Sequence, residues 1–301
     1  MSITKKLQYK FLYHLYIVFN AIFMLVPKPV SKKILEIFAF LVYKLNSHYR
    51  KIAISNLKLV FNNSKSEQEL QKIALNSYKS LAFNMFELLE NQNLPKDEIL
   101  KKMSVVGGEF ITNALNSGRK IIFVTAHYGG WELTLPGIAL AFDMKVGVVN
   151  KKMQNPYIQE IYAAARAKNN ITMIEKHSAA KGMLQTLNKG NQVAIVIDQH
   201  TDAGCEIEFL GKKVIATDAV ARLAIKLDAL IVPILTTKSK FRKHEVTVFE
   251  PIDVRQILDE DKIFTLTKLQ NDIISAQILK NPDLWLWQHK RFKAFYNEIY
   301  E

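Results

Sequence analysis

From residue 100 onward, short runs of β-branched and aliphatic residues alternate with segments of helical spacing, and this alternation leaves the chain few folds. The runs are IIFVT (121–125), KVGVV (145–149), ITMI (171–174), VAIVI (193–197), LIVPIL (230–235) and EVTVF (245–249). Helical patterns fill 131–142, 155–169, 178–188, 217–227 and 261–279. Strands separated by helices favour parallel pairing and a sheet covered on both faces. IIFVT and VAIVI carry no polar alternation, as strands at the centre of such a sheet require. The reading is an α/β fold with a mixed, largely parallel sheet covered by helices.

The first hundred residues read differently, as helix throughout. Ser66 and Glu69 in SKSE form a capping box, and apolar residues then recur at helical spacing to Leu89. Through residue 60 there are ten basic residues against the single acid Glu36, so this end is strongly cationic. Among them lies FLYHLYIVFNAIFMLV (11–26), free of formal charge but short of the roughly 20 apolar residues of a membrane span. The expectation is membrane contact, as a short span or as helices lying in the interface, where lysines suit anionic lipid. On this reading residues 1–60 are membrane-anchoring or interfacial helices, and 61–301 form the catalytic domain.

The formal net charge of +13 calls for an acidic partner. Nucleic acid is excluded: the basic residues are scattered around apolar helices, with no zinc-finger spacing and no aromatic RNA-binding pattern. A single cysteine, Cys205, rules out an intrachain disulfide framework and suits a reducing compartment. A nucleotide-sugar transferase is disfavoured because no G-x-G-x-x-G follows a strand.

In sheets of this kind ligands gather at the carboxyl ends of the strands. IIFVT runs into His127, and VAIVI runs into Asp198, Gln199 and His200. If a helix begins near Gly129, Glu132 lies one turn inside it and reaches back to the imidazole. A carboxylate on one ring nitrogen fixes the tautomer and leaves the other nitrogen as a general base. The G-x-S-x-G nucleophile pattern is absent, so the base would activate a substrate hydroxyl directly. Gly129 and Gly130 would let substrate approach the backbone.

HYGGWE (127–132) resembles the H-x-G-x-W-E signature of the bacterial lipid A late acyltransferases, relatives of the lysophospholipid acyltransferases with their H-x4-D/E dyad. Further segments resemble that family in order: YRKIAISNLKLVF (49–61), NKKMQNPYIQEIYAAARAKNNI (150–171), VIDQH (196–200), EFLGKKVIAT (208–217) and NPDLWLWQHKRFK (281–293). The resemblance implies transfer of a fatty acyl chain from acyl carrier protein to a hydroxyl of a phosphorylated lipid A precursor. It places the reaction at the inner membrane, with the catalytic domain facing the cytoplasm. It gives His127 as general base, Glu132 as its orienting partner, and Arg166 as stabiliser of developing charge or holder of a phosphate. Trp131, Lys151, Lys152, Asp198 and Gln199 join Gly129 and Gly130 as substrate-site residues, Asp198 either organising basic groups or capping a turn. No cofactor and no metal are expected, because a thioester is already activated.

Two departures bear on the acceptor. The family often has Asn where this chain has Gly130, and the E-G-T motif of glycerol-phosphate acyltransferases is missing, which argues against a glycerolipid. Another glycolipid acceptor stays open, as does a non-catalytic membrane protein retaining the fold. Leu133, Leu135 and Ile138 are candidates for lining an acyl slot or for plain core. Trp285 and Trp287 would bury against the sheet or sit at a membrane interface. His177 and His289 read as surface or structural, and His200, near Asp198, as a substrate contact or as structural.

Overall fold

Helical spacing before residue 100 becomes five helices: α1 (Ile3–Leu25), α2 (Lys28–Leu45), α3 (Ser47–Phe61), α4 (Glu67–Asn91) and α5 (Lys96–Leu100). The computed structural model describes residues 3–62, 64–92, 94–150 and 152–301. The capping box opens α4 as expected: the Ser66 N–H donates to Glu69 at 2.8 Å, and the Glu69 N–H donates to Ser66 Oγ at 3.3 Å. Ser31, Leu35, Ala39 and Tyr43 recur every fourth residue and bury the inner stripe of α2, which packs on α4.

The opposite faces of α1 and α2 are apolar and exposed, with Phe11, Leu15, Ile22, Ile37, Phe38 and Leu41 in solvent. Among the described residues, no helix is long and apolar enough to cross a membrane. The helix α1 is tied down at several points. Tyr16 donates to Gln92 at 2.7 Å, and Asn155 Nδ2 donates to the Tyr9 carbonyl at 3.0 Å. Contacts also cross residue 60: Asn56 on α3, fully buried, donates to the carbonyls of Trp287 and His289 at 2.8 Å each.

The sheet region then runs β1 (Met103–Val106), α6 (Gly108–Asn116), β2 (Ile121–Thr125), α7 (Trp131–Ala141), β3 (Val146–Asn150), α8 (Pro156–Lys168), β4 (Ile171–Glu175), α9 (Ala179–Asn188) and β5 (Gln192–Val196). It continues through β6 (Cys205–Phe209), β7 (Lys212–Ala216), α10 (Ala219–Leu227), β8 (Leu230–Lys240), β9 (Lys243–Val248), β10 (Ile252–Asp253) and α11 (Lys262–Lys280). The main sheet has the order β1-β9-β8-β2-β5-β3-β4, with β10 beside β8, and β6 and β7 form a separate hairpin. All pairs in the main sheet are parallel except β8–β9 and β8–β10. The mixed, largely parallel sheet read from the sequence is therefore what forms.

The central strand β2 is buried along its whole length. Its alternate residues feed opposite layers, as the two-residue period of a strand requires. Ile122 and Val124 pack with residues of α10 and α11, and Ile121 and Phe123 pack with residues of α6 and α7. Each such side chain contributes about 1.5–3 kcal/mol on burial. Pro233 has no N–H to give to a ladder, and it sits where β8 leaves β2 and begins pairing with β9.

Candidate active site

Strand register brings the reactive residues together. β2 pairs with β5 in parallel with Thr125 beside Val196, so the residues two further along each chain, His127 and Asp198, leave the sheet side by side. The His127 N–H donates to Asp198 Oδ2 at 2.9 Å, and its ring Nδ1 lies 2.9 Å from Asp198 Oδ1. Trp285 Nε1 adds a third donor to the same carboxylate at 2.8 Å. Asp198 is 2% exposed, so this carboxylate is held by protein groups and not by water. Burial works to raise its pKa, yet the charge and hydrogen bond of His127, the Trp285 donor and the backbone N–H together hold it below the ordinary value. Burial likewise disfavours the imidazolium. The Asp198 charge and hydrogen bond, with the Glu132 charge further off, outweigh it and raise His127 above its ordinary value.

The partner expected on the imidazole was Glu132; the structure puts Asp198 there instead. The Glu132 carboxylate, one turn into α7, turns away and pairs with the guanidinium of Arg166 on α8. Arg166 also donates to Tyr162 Oη and lies over its ring, 4.8 Å from the centroid. Arg166 is thus not a free cation, because its charge is met by Glu132. The N-terminus of α7 is fixed by Asn84, whose side chain accepts the Glu132 N–H at 3.1 Å.

The glycines are also required by packing. Gly129 has φ +60°, and a Cβ there would lie 2.7 Å from the Thr236 carbonyl. A Cβ on Gly130 would lie 2.6 Å from His244 Nδ1. They make room for protein packed beneath the turn. The Gly129 N–H is taken by the Leu284 carbonyl at 2.9 Å, whereas the N–H groups of Gly130 and Trp131 have no partner among the described residues. Those two amides open α7, where the helix dipole favours negative charge.

A cleft of about 470 Å³ opens over the ends of β2, β3 and β5, lined among others by His127, Trp131, Glu132, Arg166, Lys176 and Gln199. Trp131 stands edge-on to the His127 ring, 5.6 Å between centroids, and Gln199 Nε2 is 3.5 Å from His127 Nε2. That second ring nitrogen, unlike Nδ1, is left to the cleft. No serine or cysteine among the described residues lines it. Among the described residues, no group of three or more histidine, cysteine or carboxylate side chains is placed to hold a metal ion.

Lys152 falls elsewhere: it lines a neighbouring cavity of about 360 Å³ that shares Asn150 and Met173 with the His127 cleft. Lys151 lies outside the described residues. Leu135 lines the cleft, while Leu133 packs with Ile99 and Ile138 is core. Trp285 and Trp287 are buried, T-shaped to one another at 4.7 Å. His177 is exposed beside Glu175, and His200 Nε2 donates to the Asp202 carboxylate at 2.8 Å. His289 is pushed down to about 4, chiefly by burial, and its Nδ1 has no partner among the described residues.

Residues 284–286 clamp the turn that carries His127. Tyr128 and Trp285 form an antiparallel bridge, and the Leu286 N–H donates to the His127 carbonyl at 3.1 Å. Tyr128 is buried, with its hydroxyl 2.9 Å from the Gln277 carbonyl. The roles of Trp285 and Asn84 at the site are not legible in the sequence, since each acts across a long stretch of chain, and Tyr162 enters only through Arg166, one helical turn away.

A histidine held by a buried carboxylate at the mouth of a parallel sheet, with no side-chain nucleophile beside it, suits activation of a hydroxyl for group transfer. The sequence pattern of the bacterial lipid A biosynthesis acyltransferases matches residues 3–294, and the chain belongs to that family. It is 26% identical over 250 residues to the lipid A biosynthesis lauroyltransferase of Escherichia coli K12, covering 81% of this chain and 79% of that one. It is 23% identical to the palmitoleoyltransferase of the same organism, over 81% and 78% of the two chains. A Haemophilus influenzae lipid A biosynthesis acyltransferase is 23% identical over 89% of this chain and 86% of its own. The crystal structure of a 1-acyl-sn-glycerophosphate acyltransferase from Thermotoga maritima aligns at a TM-score of 0.38 and 14% identity, covering 83% and 97% of the chains.

Proposed function

We propose that this acyltransferase moves a fatty acyl chain from the thioester of acyl carrier protein to a hydroxyl of a phosphorylated lipid A precursor, a late, secondary acylation. The observation that carries the reading is the His127–Asp198 pair with Nε2 open to the cleft. Asp198 keeps the proton on Nδ1 and stabilises the imidazolium. Nε2 takes the acceptor proton as its oxygen attacks the thioester carbonyl. The carbonyl oxygen becomes an oxyanion, met by the free amides of Gly130 and Trp131. Collapse expels the carrier thiolate, which the imidazolium reprotonates. Glu132 adds charge that favours the imidazolium, and Arg166 fixes Glu132.

The exposed apolar faces of α1 and α2, interleaved with lysines, support attachment in the membrane interface, where the acceptor resides. The net positive charge suits both an acidic carrier protein and a phosphorylated acceptor. A groove of about 800 Å³ between α2 and α4, lined by Ile34, Phe38, Leu81 and Met85, offers hydrocarbon a place.

The test is acyl transfer by detergent-solubilised protein, with carrier protein loaded with chains of several lengths and a tetraacylated lipid A precursor as acceptor. Mass spectrometry should find one added acyl group with wild type and none with His127→Ala. Absence of product with every donor, or equal product from His127→Ala, would sink the reading.

A further inference from the structure

Outside the His127 cleft, a dense group of like charge lines a cavity of about 560 Å³ between the start of α4, the β8–β9 hairpin and the end of α11. Its lining includes Lys65, Lys72, Lys238, Lys240 and Lys280 against the carboxylates Glu69 and Asp283. Glu69 is engaged in the Ser66 cap, and Asp283 accepts from Asn76 at 3.1 Å. Lys238 pairs with Glu245 at 2.9 Å. Lys65, Lys72, Lys240 and Lys280 have no ion pair among the described residues, although Lys65 lies over the Phe61 ring. Like charges gathered in one concavity repel one another, and a bound anion relieves that repulsion.

We propose that this cavity is a binding site for a phosphate-bearing ligand, separate from the His127 cleft. Lysine ammonium groups meet phosphate as point charges. Set against Glu69 and Asp283, the four lysines that lack an ion pair leave about two positive charges, which a phosphate monoester, at about −1.5 to −2 at neutral pH, would meet. A concave site suits such small groups better than the convex face of a folded partner. The cavity also adjoins the catalytic turn, because Leu284 in its wall accepts the Gly129 N–H. A glycolipid headgroup and a free polyphosphate share this chemistry; only the headgroup source rests on the acyl-transfer reading.

The experiment measures binding, not turnover, on the full chain in detergent, in both wild-type and His127→Ala backgrounds. The probes are inorganic pyrophosphate, micelles of a bisphosphorylated glycolipid, and micelles of its dephosphorylated form. The triple variant Lys72→Ala, Lys240→Ala, Lys280→Ala should weaken phosphate-dependent binding at least about tenfold, or about 1.4 kcal/mol. A control triple at the exposed Lys181, Lys189 and Lys226 should change it by less than about twofold. Binding of the phosphorylated micelles alone, not displaced by pyrophosphate, identifies a headgroup site; binding and displacement by pyrophosphate identify a free-anion site. Equal weakening by the two triples, or none by either, overturns the proposal. An inactive enzyme that still shows lysine-dependent binding would instead count against the acyl-transfer reading alone.

Discussion

Of the four histidine–carboxylate pairs among the described residues, two have a buried carboxylate, and they sit in different surroundings. His127 and Asp198 meet at 2.9 Å at the end of β2, and His244 and Glu87 meet at 2.7 Å beneath the start of α7. In the second pair both side chains are 3% exposed, and the other ring nitrogen of His244 is engaged by Ser239 Oγ at 3.0 Å. In the first pair the second nitrogen faces a cleft, its one contact among the described residues the long 3.5 Å approach of the Gln199 amide, and the His127 side chain is 24% exposed. The contact alone therefore does not make a base. What separates them is whether one nitrogen remains for a substrate; the closed pair instead props Gly130 and the α7 amides from below.

The largest expected effect is at the open pair. His127→Ala should lower kcat per folded molecule by about 10²–10⁴-fold, and it should also lower the unfolding temperature, because the buried Asp198 carboxylate loses its ring partner. Asp198→Asn should lower kcat by a comparable factor and also move the pH profile. The sign follows from His127 being raised: as pH falls through that raised value the base is protonated and kcat/KM drops, starting above the ordinary value near 6.5. Removing the Asp198 charge lets the acid limb of residual activity move to lower pH; a limb that stays put would show that Asp198 does not hold the ring. Linkage adds a stability window. The Asp198 share is present above the ordinary carboxylate value and lost as pH falls, and the His127 share is lost as pH rises through its folded value.

At the closed pair the order reverses. His244→Ala leaves Glu87 buried without its ring partner and should cost about 3–5 kcal/mol, read by denaturant unfolding, with kcat per folded molecule reduced far less than by His127→Ala. Equal losses of kcat at the two histidines would erase the distinction. Gly130→Ala, whose Cβ meets the His244 ring, should cost about 1–3 kcal/mol and bring a smaller loss of kcat through the displaced α7 amides. Trp285→Phe removes one of three donors to Asp198 and should have the smallest effect, about tenfold or less in kcat/KM, with a small shift of the acid limb.

Most of the sheet was legible because its strands are runs of β-branched residues too apolar to be anything but buried. All six runs became strands, and the five helices between them formed within a residue or two of the expected limits. The strands missed have weaker signals. β1 has only four residues with alternating exposure, β6 alternates glutamates with apolar residues, and β7 opens on two lysines after a turn at Leu210 and Gly211, both at positive φ. At the site, sequence proximity misled. Five positions separate His127 from Glu132, but the turn into α7 aims that carboxylate at Arg166. Seventy-one positions separate His127 from Asp198, and only the pairing of β2 with β5 makes them neighbours. His127 itself was legible from its place at the end of a buried strand.

The clamp formed by residues 284–286 has a consequence for the order in which the protein becomes competent. Domains are generally assembled from the N-terminal side as the ribosome delivers them. His127 and Asp198 emerge well before Trp285, yet the carboxylate lacks its indole donor and the catalytic turn lacks its bridging strand until that late segment arrives. Asn56, made early, likewise waits 231 residues for the Trp287 carbonyl. A nascent chain released short of this segment would carry His127 and Asp198 without the clamp around their turn. The candidate site would then reach the geometry described above only after translation has passed Trp287.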